Sequence, residues 1–202
     1  MDEKKFTTKQ FVEMALLTAV IVLMAFTPIG YIKTFGLEIT LIVVPVTVGA
    51  VTLGPLAGAV LGAVFGITSF LQCFGMSAFG TMLLGIQPVF TFFVCVASRV
   101  LMGWLTGLIY QGLKKVKPLR KIAVVIASLI GPFLNTFFFM GTLIFFFYHT
   151  EEIQTLASSM GASHALAFVA AFVGVNGVIE AVVCFVVGSA LSKALQVALK
   201  SS

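Results

Sequence analysis

With 60% hydrophobic and only 9% charged residues in a length of 202, and a mean hydropathy of +1.16, the chain lacks the charge to cover a water-facing globule, since a soluble domain carries about 25% charged residues. A separate soluble domain is thereby excluded, and the apolar runs must face lipid or one another. The net charge of +5 does not mark a nucleic-acid-binding face, because its cations are gathered in a pattern that reads as an orientation signal.

Residues 1–10 are polar and of mixed charge and read as a cytoplasmic N-terminal segment, while residues 11–200 read as one all-α integral membrane domain of six transmembrane helices. The first apolar segment, 11–29, follows a start that carries Asp2 and Glu3, and no small-residue cleavage site stands near Pro28. It is therefore expected to be a retained helix rather than a signal peptide. Segments 39–53 and 56–71 are separated only by Gly54-Pro55. Each is short against the ~20 residues of a full span, and together they read as a helical hairpin with a tight cytoplasmic turn, Pro being suited to a first helical turn. Residues 72–87, rich in Gly, Ser and Met, read as an outer loop with a partly re-entrant course. A fourth helix is expected over 89–112 and a fifth over 122–148, joined by the basic loop. The polar stretch 149–164 leads into a sixth helix over 165–193.

The charges test this count. Lys4, Lys5 and Lys9 stand at the start, Lys114, Lys115, Lys117, Arg120 and Lys121 in the loop after four helices, and Lys193 and Lys200 at the end. With both termini cytoplasmic and six crossings, ten of the 12 Lys and Arg fall inside, whereas Lys33, Glu38, Glu151 and Glu152 fall outside. A count shifted by one puts a basic cluster on the wrong face of the membrane.

Four polar side chains interrupt the apolar segments: Arg99, Asn135, Asn176 and Glu180. A charge in a membrane span costs about 2.5–3.5 kcal/mol on insertion scales, so each needs a reason. At 1.5 Å per helical residue, Arg99 lies roughly 22 Å from Lys114, Asn135 roughly 21 Å from Lys121, and Glu180 roughly 20 Å from Lys193. Asn176 precedes Glu180 by four residues and shares its helix face. Three helices thus carry polar groups to one depth, between the middle and the outer surface. One reading is a small-molecule site open to the outside, with Arg99 receiving an anionic group. The other is structural, with Arg99 paired to Glu180 and the asparagines bonding between helices. Both can hold together. Gln72 and Gln87 bracket the outer loop, and Tyr31 and Lys33 lie in the first one, where they are placed to close over a ligand or simply to be solvated.

Other residues concern packing. Gly54, Gly58, Gly62 and Gly66 recur every fourth position and leave one side of the third helix bare for a close neighbour. Ala15 and Ala19 form a small-xxx-small pair in ALLTA, suited to internal packing or to docking a helix of another membrane subunit. The cysteines, Cys73, Cys95 and Cys184, are far apart and read as small apolar residues, with no disulfide or metal site expected. The phosphate loop G-x-x-x-x-G-K-[ST], the H-E-x-x-H helix and the G-x-S-x-G elbow are all missing, so neither ATP binding by that route nor a familiar hydrolase is indicated.

The length of about 200 residues, ALLTA, and the VPVTVGAVTLGPLAGAVLGAVFG hairpin resemble a substrate-binding S component of the energy-coupling factor (ECF) vitamin transporters of bacteria. The resemblance implies a multi-pass protein of the bacterial cell membrane that takes up a vitamin. It implies no cofactor in this chain, ATP being used by two partner ATPase subunits, and a shared transmembrane coupling subunit that docks on Ala15 and Ala19. SFLQCFG, the run Ser98–Trp104, the Asn135 region and NGVIE at 176–180 are closest to the pantothenate-type S components. Pantothenate, a monocarboxylate with hydroxyl and amide groups, suits an Arg beside Asn and Glu, with Gln72 at the loop. The alternatives are an S component for another water-soluble vitamin and a self-sufficient ion-coupled transporter. The latter should show broken helices in both halves, and the break at Gly54-Pro55 has no clear counterpart.

Overall fold

The computed structural model describes residues 7–27, 30–33, 38–174, 182 and 185–190. The N-terminal charges before Thr7, Asn176, Glu180 and everything after residue 190 lie outside the described residues.

Helix α1, Thr8–Ala25, begins at a reciprocal cap: the Gln10 N–H donates to Thr7 Oγ1 at 3.3 Å and the Thr7 N–H to Gln10 Oε1 at 3.0 Å. Glu13, Leu17, Ile21 and Ala25 are buried at every fourth position, so one stripe of α1 faces the protein. The next segment does not start as helix. Strands β1, Tyr31–Lys33, and β2, Glu38–Thr40, pair antiparallel with Ile32 opposite Ile39, and the Leu41 N–H reaches the Gly30 carbonyl at 3.0 Å. The expected helix over 39–53 is accordingly shorter: α2 runs Val43–Thr52. Every residue from Val43 to Val51 is buried, the mark of a helix enclosed by its neighbours rather than facing lipid on one side.

Gly54 turns the chain with φ 104°, in the left-handed region open to glycine, and Pro55 starts α3, Pro55–Gln72. Helix α5, Pro88–Lys115, runs antiparallel to it. Gly58 abuts Gly103, Gly62 abuts the main chain of Arg99 and Val100, and Gly66 abuts that of Cys95 and Val96. A Cβ on Gly66 would stand 2.6 Å from the Val96 Cα, so these backbones touch where any larger residue would part them. Helix α6, Ala123–Phe147, packs on the other side of α5 and against α2.

Two stretches that read as loops contain helices. Within 72–87, Ser77 caps α4, Ala78–Ile86, accepting from the Gly80 N–H at 3.3 Å. Phe79, Met82, Leu83 and Ile86 keep helical spacing there, a period concealed by the surrounding Gly, Ser and Met. Within 149–164, α7, Glu151–Ser159, places Glu151 and Glu152 in its first turn, where the helix dipole favours them, and buries Ile153 and Ala157. Helix α8, Ala165–Gly174, follows, its Ala167 N–H bound to His164 Nδ1 at 3.1 Å. Leu83 of α4, Val94 of α5, Met140 and Phe147 of α6, Ile153 of α7 and Phe168 of α8 close into one apolar cluster at this end of the bundle. A second cluster joins α1, α2, α3 and α5 through Leu17, Ile21, Val46, Leu61, Phe65 and Met102.

Among the described residues, four helices are long and apolar enough to cross a membrane: α1, α3, α5 and α6. Helices α2 and α8 are shorter apolar ones. The outward side chains suit lipid: Phe11, Leu16, Leu23, Leu56, Phe133 and Phe137 are exposed, and Phe145 is 80% exposed. An exposed apolar surface of this extent has no place in water.

Candidate ligand site

Arg99 is only 7% exposed, in the middle of a membrane helix. Its placement follows from the glycine contacts, since Gly62 lets α3 lie directly on the Arg99 backbone. The side chain leans toward the N-terminal end of α5, as helical side chains do. There Nη1 donates to the Val94 carbonyl at 3.0 Å and to Ser98 Oγ at 2.9 Å. The guanidinium carbon stands 5.3 Å from the centre of the Phe65 ring of α3 and 4.6 Å from that of Phe139 of α6. Ring faces at this range attract a cation by about 0.5–2 kcal/mol each. The described residues thus offer the charge neutral oxygens and rings rather than a carboxylate, and Nε has no hydrogen-bond partner among them. A guanidinium N–H without a partner is a donor able to form a charge-assisted hydrogen bond.

Asn135 is buried on α6, one turn before Phe139. At that four-residue spacing it shares the α6 face that carries the ring over Arg99. Gln72, the last residue of α3, is also buried, and its Nε2 donates to the Ala25 carbonyl at the end of α1. That bond ties two helix ends together and leaves its amide oxygen for another role. Asn176 and Glu180 lie outside the described residues. Ala15 and Ala19 stand one turn apart on the exposed side of α1, opposite its buried stripe.

Sequence reasoning missed Phe65 and Phe139, and it singled out the run that begins at Ser98 without giving Ser98 its contact with Arg99; these three hold the guanidinium. In a chain with 21 phenylalanines no spacing singles out two of them. It also missed Glu13, buried on α1 with neither carboxylate oxygen hydrogen-bonded among the described residues. The fourfold spacing with Leu17, Ile21 and Ala25 was the signal that its face turns inward. Cys73 and Cys95, 22 residues apart, come into contact with Sγ atoms 3.9 Å apart.

The chain matches, over residues 9–192 of its 202, the family described as ECF transporter, substrate-specific component. Among curated proteins none matches it. With nearly the whole length aligned, from α1 through the helical backbone at 185–190, the chain belongs to the substrate-specific components of the ECF transporters.

Proposed function

We propose that the chain is the high-affinity vitamin-binding subunit of an ECF uptake system in a bacterial cell membrane, with pantothenate as its vitamin. A substrate-specific component is a transporter subunit and not an enzyme, and its work is to hold a small molecule within a membrane-embedded complex. The observation that carries the reading is the Arg99 guanidinium, enclosed by two aromatic rings, with Nε unpaired among the described residues. An enclosed cation of this kind favours an anionic ligand, and pantothenate has one carboxylate. Asn135 and Gln72 take its amide and hydroxyl groups. Asn176 and Glu180, which lie outside the described residues, complete the proposed ligand set.

In this reading the chain crosses the membrane six times with both termini cytoplasmic. The ligand enters from the outside, at the end of the bundle where α4, α7 and α8 close over α5 and α6. Ala15 and Ala19 receive the transmembrane coupling subunit, and two ATPases in that complex supply the energy.

Calorimetric titration of the purified chain with pantothenate tests the site. Binding is expected for the wild type, and Arg99→Ala should weaken it on the order of 100-fold, the loss of a charge-assisted pair. Arg99→Lys, which keeps the charge but not the fork, should lie between. Equal affinity in all three removes Arg99 from the site. A vitamin without a carboxylate binding in place of pantothenate would redirect the substrate assignment.

A further inference from the structure

Beyond the ligand reading, the contact between Cys73 and Cys95 carries chemistry of its own. Cys73 follows the last residue of α3, and its side chain leans back along that helix, its Sγ 3.4 Å from the Ser69 carbonyl. Cys95 lies on antiparallel α5, and its side chain leans the other way, toward the N-terminal end of α5. The two sulfurs therefore converge, and they stop 3.9 Å apart. Both residues are buried, and Cys73 lies beneath the first turn of α4. Thr81 Oγ1 donates to the Cys73 carbonyl at 2.9 Å, and a Cβ on Gly80 would come within 2.7 Å of the Cys73 sulfur.

We infer that Cys73 and Cys95 form a dithiol that a small, uncharged two-electron oxidant of the peroxide class closes into a disulfide, stapling the end of α3 to α5. The balance is simple. Two S–H bonds and the peroxide O–O bond break, one S–S bond forms, the thiols give up two electrons and two protons, and hydrogen peroxide becomes two waters. Burial rules out a bulky charged disulfide as the oxidant and leaves a small uncharged one. The sulfurs must close from 3.9 Å to about 2.05 Å. Cys73 stands at a helix end, and the chain turns two residues later at Gly75, with φ 108°. The staple would sit between Gln72, the neighbour of Cys73, and Arg99, one turn beyond Cys95 on the same helix.

The test uses the full chain purified in detergent and treated with hydrogen peroxide, then denatured, alkylated with iodoacetamide and peptide-mapped without reductant. A Cys73–Cys95 linked peptide, two hydrogens lighter than its reduced parts and separated by dithiothreitol, is expected. In Cys95→Ser no linked peptide should form. Both thiols alkylated in full after peroxide, a link to Cys184, or a link between two copies of the chain overturns the inference. Because the readout is covalent and needs no ligand, its failure leaves the pantothenate reading standing, and a protein that binds no vitamin leaves this one standing.

Discussion

The guanidinium carbon of Arg99 stands 4.6 Å from the centre of the Phe139 ring, so a charge carried by α5 rests against an aromatic of α6. A ring binds a cation without neutralising it, and the cation stays available to an anion. Phe139→Leu keeps the apolar bulk and removes the quadrupole. It should lower stability by about 0.5–2 kcal/mol, seen as a fall in the thermal midpoint of the detergent-solubilised chain, and should also weaken ligand binding as Arg99 loses its fixed position. An unchanged midpoint together with unchanged affinity means that the ring merely fills space.

The contact of Gly62 with the Arg99 main chain predicts a packing effect. A methyl group at Gly62 meets the backbone of Arg99 and Val100, which has no rotamer with which to yield. Gly62→Ala should therefore part α3 from α5, with a cost of about 1–3 kcal/mol, and should move Arg99 relative to Phe65. Gly141, on α6 with open space where its Cβ would lie, is the control. Gly141→Ala should be neutral or stabilising by about 0.5–1 kcal/mol, the helix preference of Ala over Gly. Thermal unfolding of the two variants side by side decides the matter, and equal midpoints would count against the close helix contact.

Glu13 is buried on α1 with no hydrogen bond to either oxygen among the described residues. Burying a polar group without a partner is costly, by roughly 1–3 kcal/mol on protein scales. Glu13→Gln, of the same shape and without charge, should raise the thermal midpoint, and Glu13→Leu should raise it further. A fall in both would show that the carboxylate is already partnered in the isolated chain, by a group outside the described residues.

Much of this was legible in the sequence because the signals were local. The hairpin turn at Gly54-Pro55, the glycine spacing that seats α3 on α5, and the helices near 88–115 and 123–147 follow from composition and spacing over short windows. Arg99, Asn135 and Gln72 stood out because polar groups are rare and expensive in apolar segments. Helix α4 was hidden because Gly, Ser and Met suggested a loop while four apolar residues kept helical spacing. The strand at 31–33 fell in the stretch read as the first loop, and that at 38–40 straddled the start of the apolar segment 39–53; three residues apiece are too few for an alternating pattern to show. Neither the rings around Arg99 nor the contact of Cys73 with Cys95 has a local signature. Both depend on the register of one helix against another, which in α3 and α5 is set by four glycines acting together.

The exposed side of α1 yields the last prediction. Ala15 and Ala19 lie one turn apart there, flanked by exposed Phe11, Val12, Leu16 and Leu23, while the inward stripe is closed by Leu17, Ile21 and Ala25. A bulky residue at Ala15 therefore has room in the chain alone but fills a flat patch that a partner helix would need. Ala15→Trp should leave the ligand affinity of the isolated chain within about 2-fold of wild type, a difference of roughly 0.4 kcal/mol. In vesicles containing the coupling subunit and both ATPases, the same variant should lose most ATP-driven uptake, and Ala19→Trp should behave alike. Phe145→Trp, at a residue of α6 that is 80% exposed, should retain uptake. Full uptake by the alanine variants would move the docking surface off this face, because a helix packed at small-residue distance has no space for an indole.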